Sequence, residues 1–314
     1  IGLPLTLLGL HAGHRAAVVE MGMNQPGEIA YLTQLARPTV ALVNNAQRAH
    51  LQGMGDLAEI AREKGSIFTG LTAAGVAVFN ADDAQSAVWQ AQVDAAGQRP
   101  LRFAVNQPAE ERGTLTQQGL DFLLALQTPA GEAQLVLPVP GRHNAVNALA
   151  ATAACLAAGI ALPQVVAGLH SFRGVTGRSQ RRQGQQGAHI LDRTYNANPD
   201  SARAGIDVLA STIGKKILVL GDMGEIGEGS HQCHDEIGGY AKSQGVDRLY
   251  ALGEASAQAV RNFGEGGRHF CNIDKLIAAV QKELAADTTV LVKGSRFMRM
   301  ERVVGAIVAP QPER

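Results

Sequence analysis

Short runs rich in Val, Leu and Ile recur along the chain, each broken by Gly, Asn or Asp and followed by apolar residues at helical spacing. The runs read as buried strands and the intervening stretches as amphipathic helices. Residues 16–20 (AAVVE) form the first run and end in an acid. The turn at 22–27 (GMNQPG) leads into a helix over Glu28–Ala36. Residues 38–43 make the next strand, which breaks at Asn44 and Asn45. A polar loop follows, carrying His50 and punctuated by Gly53 and Gly55. Asp56 then stands as N-cap of a helix on which Leu57, Ile60, Ile67 and Phe68 recur at roughly helical spacing. Residues 75–80 (GVAVFN) are a third strand, closed by Asn80, Ala81, Asp82 and Asp83. Strands alternating with helices in this way predict βαβ units and a mainly parallel sheet.

The texture changes between residues 102 and 137. LRFAV, DFLLALQT and AQLVLP are short strands with no long helical pattern between them, which predicts an antiparallel addition at the sheet edge. Residues 140–144 (PGRHN) turn into an alanine-rich stretch. The longest uncharged run, 144–169, holds Asn144, Asn147, Gly159, Pro163 and Gln164 and reads as two packed helices, not a membrane span. A junction rich in Gly and Arg falls at 172–182 (FRGVTGRSQRR), which as a bare sequence suits a solvated linker as well as a site. Beyond it a second alternation begins: a short strand at 190–191, a helix over 199–211 with Pro in its first turn, and the strand KILVLGD. A helix over 231–243, RLYALG, another helix, a strand near 269–271, a further helix, TTVLVKGS and a last helix near Met298, Val303 and Val304 complete it. The fold class expected is therefore α/β. A mainly parallel domain with an antiparallel edge spans 1–174, and a Rossmann-like α/β domain spans 175–314.

With 314 residues, each of the two domains can bury its own core. Lys and Arg number 28 against 28 Asp and Glu, so no basic stripe argues for nucleic acid and no acidic block for a disordered tail. Three well-separated cysteines, Cys155, Cys233 and Cys271, make no disulfide framework and suit a reducing cytoplasm. The opening IGLPLTLLGL is apolar but lacks a basic start and an initiating Met, and reads as the cut edge of a longer polypeptide, not a signal peptide.

Several motifs have bland readings. Residues 221–227 (GDMGEIG) follow a strand and precede a helix, but the spacing is not that of a dinucleotide fingerprint, and Asp222 and Glu225 would repel a pyrophosphate. His231, Cys233 and His234 lack further zinc ligands at suitable spacing. No GxSxG elbow, Cys–His nucleophile pair or GxxxxGK[ST] phosphate loop occurs. A loop histidine and a helix lysine are ordinarily solvated. The informative combination is Glu20 closing one run, His50 following another and Lys64 on the next helix, because adjacent parallel strands bring such positions to one edge. A carboxylate and an imidazole suit Mg²⁺ or Mn²⁺. A lysine suits them only as a carbamate, whose formation needs a neutral amine, and burial lowers a lysine's pKa in that direction.

These residues carry a resemblance. IGLPLTLL, VVEMGMNQPGEI, VNNAQRAHLQGMGD, REKGSIFTGL, FNADD, PGRHNAVNALAA, TGRSQ, TYNANPDS, VLGDMGEIG and VKGSR, in this order, resemble the Mur ligase family over nearly the whole chain. The last three resemble the branch that joins D-alanyl-D-alanine to UDP-N-acetylmuramoyl-tripeptide. The resemblance implies a central ATPase domain and a C-terminal domain receiving the incoming amine, preceded by a UDP-binding domain and a phosphate loop. It implies that Glu20, His50 and carbamylated Lys64 hold Mg²⁺ (or Mn²⁺), that Asn144 and Asn147 lie beside ATP, and that Arg178 reaches its phosphates. Tyr195, Asn196 and Asn198 would help form the substrate site. A cytoplasmic monomer that binds no nucleic acid and inserts in no membrane is expected. These 314 residues alone are expected not to turn over, for want of a phosphate loop.

The chain departs from the family where Asp-Asp usually precedes the Tyr-Asn-Ala-Asn run and the second Asp contacts the nucleotide. Here the pair is Asp192 and Arg193; Asp192 is left as a nucleotide ligand, although strand neighbours point to opposite faces. Val175 also precedes Thr176, Gly177 and Arg178, where a Pro often precedes Gly-Arg. Another Mur ligase, a folylpolyglutamate synthase-like ligase and a non-catalytic paralogue remain as alternative readings.

Overall fold

In the computed structural model, which describes residues 2–48, 54 and 56–310, contacts divide the chain into two compact units. One comprises residues 1–115, 124–135 and 145–170, the other 116–123, 136–144 and 171–314.

The first sheet runs in the order β1 (Val40–Val43), β2 (Val76–Asn80), β3 (Arg99–Ala104), β4 (Glu111–Gln118), β5 (Asp121–Thr128) and β6 (Gly131–Leu137). β1 to β4 pair in parallel. The connections β4–β5 and β5–β6 are two residues long, which only antiparallel pairing permits. β2 is buried at every position, the reason its sequence is almost continuously apolar. Helices α1 (Gly2–Leu8) and α2 (Glu28–Ala36) precede β1, α3 (Leu57–Gly65) and α4 (Ser86–Ala95) occupy the connections β1–β2 and β2–β3, and α5 (Arg142–Ala157) and α6 (Leu162–Ser171) follow β6. Around β2, Phe79 packs against Phe68 and Trp89, with ring centroids 6.2 and 6.4 Å away. The Trp89 indole nitrogen donates to the Ala61 carbonyl at 3.0 Å, so the polar end of a wholly buried side chain is satisfied.

Asp56 caps α3 as expected, accepting from the Glu59 amide at 2.8 Å. Ile67 and Phe68 fall in the 3₁₀ turn Ser66–Gly70 beyond it. Residues 16–20 do not form the expected strand; Val18 is fully exposed. A strand exists only where a neighbour takes its backbone donors and acceptors, and among the described residues β1 pairs with β2 alone. β3, expected as part of the antiparallel edge, runs parallel to β2. β4 (ERGTLTQQ) went unanticipated, because the positions it turns inward include Glu111 and Gly113, not a row of Val or Ile.

The second sheet has the order β11 (Gly267–Phe270), β10 (Arg248–Leu252), β9 (Lys215–Gly221), β12 (Thr288–Lys293), β8 (His189–Arg193), β7 (Gln180–Gln183). All pairs are parallel except β7–β8. The polar edge strand β7 lies inside the stretch that also suited a linker. Helices α7 (Pro199–Ala210), α8 (Ser230–Ser243), α9 (Ala257–Phe263), α10 (Ile273–Gln281) and α11 (Glu301–Ile307) complete a Rossmann-like arrangement. Strand order advances from β9 to β11, then β12 returns to lie between β9 and β8. Ligands in open α/β sheets bind at such reversals, beyond the carboxyl ends of the strands. No described helix is long and apolar enough to cross a membrane.

Candidate active site

At the carboxyl end of β1, Asn44 and Asn45 leave the sheet. The Asn45 carbonyl accepts from Lys64 Nζ at 2.7 Å, and the Asn44 side-chain Nδ2 donates to Asn147 Oδ1 on α5 at 2.6 Å. Asp83, at the end of β2, accepts from the Ala46 amide at 3.0 Å and so holds the same loop. Burial pushes the Lys64 amine below its ordinary pKa, and the Asp83 carboxylate pulls weakly the other way. Asn44 Oδ1 is buried with no donor among the described residues. A half-buried lysine whose partner Asn45 directly follows the residue with the orphaned amide oxygen is suited to polar ligands. Glu63, next to that lysine, instead anchors the start of α2, where its carboxylate accepts from the amides of Gly27 and Ile29 at 2.9 and 2.8 Å. Glu20 is exposed. His50 lies outside the described residues, and among the described residues no three His, Cys, Asp or Glu side chains cluster to hold a metal.

The second unit gathers the motifs TYNAN, GDMGEIG and VKGSR at the reversal between β8, β12 and β9. Ser295 joins them. Its hydroxyl accepts from the Gly224 amide at 2.7 Å and donates to the Ala197 carbonyl at 3.2 Å, while its amide donates to the Asp222 carbonyl at 3.0 Å. Lys293, wholly buried at the end of β12, donates to the Asn196 carbonyl at 2.8 Å. The ends of β9 and β12 approach so closely that a Cβ on Gly294 would lie 2.6 Å from Met300 Cγ and 3.2 Å from the Gly221 Cα. Asn198 caps α7 in a reciprocal capping box with Ser201. The Asn196 side chain accepts from the Ala197 amide at 2.8 Å. Tyr195, by contrast, is 46% exposed, with the Arg178 guanidinium stacked 3.9 Å from its ring centre.

Asp192 and Arg193 do face apart. Asp192 is buried and accepts from the Thr194 amide and hydroxyl. Arg193 pairs in register with Lys293, and its Nη2 donates to His143 Nε2 at 2.8 Å. Burial, with Arg193 and Lys293 alongside, lowers the His143 pKa to about 3, so the ring is neutral and accepts. Burial likewise lowers Arg193 to about 10 and Lys293 well below its ordinary value. Arg193 Nη1 finds no partner among the described residues. The neighbouring Asn144 amide donates to the Pro140 carbonyl at 2.7 Å.

The structure thus brings Asn147 to the strand end that precedes Lys64's partner, and Arg178 to Tyr195. Sequence reasoning assigned no role to Asp83, Lys293 or Ser295, although all three stand inside the motifs that carry the resemblance.

The Mur ligase middle domain matches residues 1–155, and the Mur ligase, glutamate ligase domain matches residues 177–296. The UDP-N-acetylmuramoyl-tripeptide–D-alanyl-D-alanine ligase of Escherichia coli is 41% identical over 314 aligned residues, 98% of this chain and 68% of that protein. The crystal structure of MurF from Acinetobacter baumannii superposes with a TM-score of 0.87 at 32% identity, covering 96% of this chain and 67% of that one. MurF from Thermotoga maritima, solved with ADP, gives 0.86 at 25% identity, covering 97% and 70%. The chain therefore spans about two thirds of the length of these relatives.

Proposed function

Because this chain belongs to the Mur ligase family, we propose that the natural protein works as an ATP-dependent, ADP-forming amide ligase, and that these 314 residues by themselves do not turn over. Its reaction joins D-alanyl-D-alanine to UDP-N-acetylmuramoyl-tripeptide, a step of peptidoglycan precursor synthesis. The observation that carries this reading is the 41% identity to an enzyme of that name over 98% of this chain. The protein acts as a cytoplasmic monomer, where ATP and the UDP-linked precursor are at hand.

A carboxylate is a poor acceptor for an amine. The tripeptide carboxylate first takes the γ-phosphoryl group of ATP; the dipeptide amine then attacks the acyl phosphate, and the tetrahedral intermediate collapses with loss of phosphate. Catalysis of this kind is positioning plus stabilisation of moving negative charge. Burial keeps more of the Lys64 amine neutral, so it adds to carbon dioxide and releases a proton, leaving a carbamate with two ligand oxygens. With Glu20 and His50 that carbamate would hold Mg²⁺, which supplies positive charge to the transferring phosphoryl group. The orphaned Asn44 oxygen suits such a site, since a cation's hydration water can donate to it. Asn144, Asn147 and Asp192 are the residues that would contact the nucleotide, and Arg178 the one that would meet its phosphates. Tyr195, Asn196 and Asn198 form the loop against which the substrate rests, with Asn198 fixing its exit into α7.

The test is the choice of amine. With UDP-N-acetylmuramoyl-tripeptide, ATP and Mg²⁺, the natural protein should release ADP when given D-alanyl-D-alanine. Faster turnover with a single amino acid such as lysine or diaminopimelate, or with a folate and glutamate, would overturn the assignment.

A further inference from the structure

The geometry points to Arg296 as the residue that receives the terminal carboxylate of the incoming dipeptide, a role that rests on the ligase reading above. Arg296 follows Ser295 directly, so its backbone leaves the point where three loops are bound together at the end of the fully buried strand β12. The base is therefore fixed while the side chain stays free, 67% exposed. Its carboxylate neighbour is Glu301, at a long 3.4 Å in a half-exposed setting, and such a pair contributes little and exchanges readily. Phe297, 65% exposed, lies beside it in sequence, and the Tyr195 ring centre lies 6.0 Å from its guanidinium carbon. The surface combines an exposed, weakly paired guanidinium with the half-exposed Tyr195 ring and, next in sequence, the exposed Phe297. That chemistry recognises a small carboxylate bearing methyl groups: the guanidinium takes the oxygens in its fork, and the rings take the methyls.

Distance argues for a dipeptide over a single amino acid. Arg178 and Arg296 both lie over the Tyr195 ring, at 3.9 and 6.0 Å from its centre. With Arg178 at the transferring phosphate, the attacking amine is near Arg178, and a carboxylate held by Arg296 lies near the same Tyr195 ring. In a dipeptide one extra Cα–Cα step of about 3.8 Å separates amine from carboxylate. In a free amino acid both groups sit on the same Cα. Arg296 would then act as a length gauge, favouring substrates with one peptide bond between the reacting amine and the charge.

The experiment compares D-alanyl-D-alanine with its C-terminal amide, which keeps the amine and both methyls but loses the charge, using the natural protein and its Arg296→Gln and Arg296→Lys variants. The wild type should prefer the acid by roughly 10- to 100-fold in kcat/KM, the range expected for hydrogen bonds to a charged group. Arg296→Gln should abolish that preference, leaving turnover of the amide and the KM for ATP within about twofold; Arg296→Lys should recover part of it. A full preference surviving in Arg296→Gln, or a KM for ATP rising alongside that for the dipeptide, would overturn the assignment. A wild type that turns over neither compound would instead overturn the ligase reading, and this inference with it.

Discussion

Glu111 offers a measurable energetic consequence of the fold. It begins β4, is wholly excluded from solvent, and neither carboxyl oxygen has a partner among the described residues. Burial raises its pKa from 4.5 to about 8. At low pH it is protonated in both states and costs nothing through ionisation. As pH rises past 4.5 the unfolded chain gains by losing the proton while the native chain keeps it, so stability falls by about 1.4 kcal/mol per pH unit. The loss stops when the native carboxyl also ionises, near pH 8, by which point it is on the order of 4 kcal/mol. Glu111→Gln removes the titration. Its stability relative to the wild type should therefore climb across that window and level off above it. Urea denaturation followed by Trp89 fluorescence reads this directly, because the chain has one tryptophan and it is buried in the same unit. A difference between the proteins that is flat with pH, or one that climbs on acidification, would refute the reasoning.

Three further outcomes follow from single contacts. Ser295→Ala leaves the Gly224 amide and the Ala197 carbonyl without the hydroxyl that serves them; a loss of roughly 1–3 kcal/mol in urea denaturation is expected, together with a raised KM for the dipeptide. Asp56→Ala removes the α3 cap and should cost about 1 kcal/mol by the same assay, with Asp56→Asn nearly neutral. Lys64→Ala should abolish turnover, and a short-chain carboxylate added to the assay should restore part of it by supplying the missing oxygens; rescue by alkylamines instead would count against the carbamate.

The α/β alternation was legible because the strands β2, β9 and β12 are buried on both faces for most of their length and their sequences say so. Asp56, Pro199 and the break between α5 and α6 were legible because caps and turns act through local chemistry. Residues 16–20 have the composition of a strand, but pairing is decided by a neighbour, which composition does not record. β4 and β7 were hidden by their polar residues, being held through backbone pairing. At the site, the motifs gave residue types at the right ends of strands. They did not reveal that Ser295 carries three loops or that Asp83 holds the Lys64 loop, because those are contacts between distant segments. The opposite facing of Asp192 and Arg193 follows from strand alternation alone. The pairing of Arg193 with His143 does not.

The most direct test of the account follows one oxygen atom. The acceptor carboxylate of the tripeptide, carrying a heavy oxygen isotope, is supplied with ATP, Mg²⁺ and D-alanyl-D-alanine, and the released phosphate is analysed by mass. Activation through an acyl phosphate predicts one heavy oxygen in each phosphate formed. Amide product accompanied by unlabelled phosphate would contradict it.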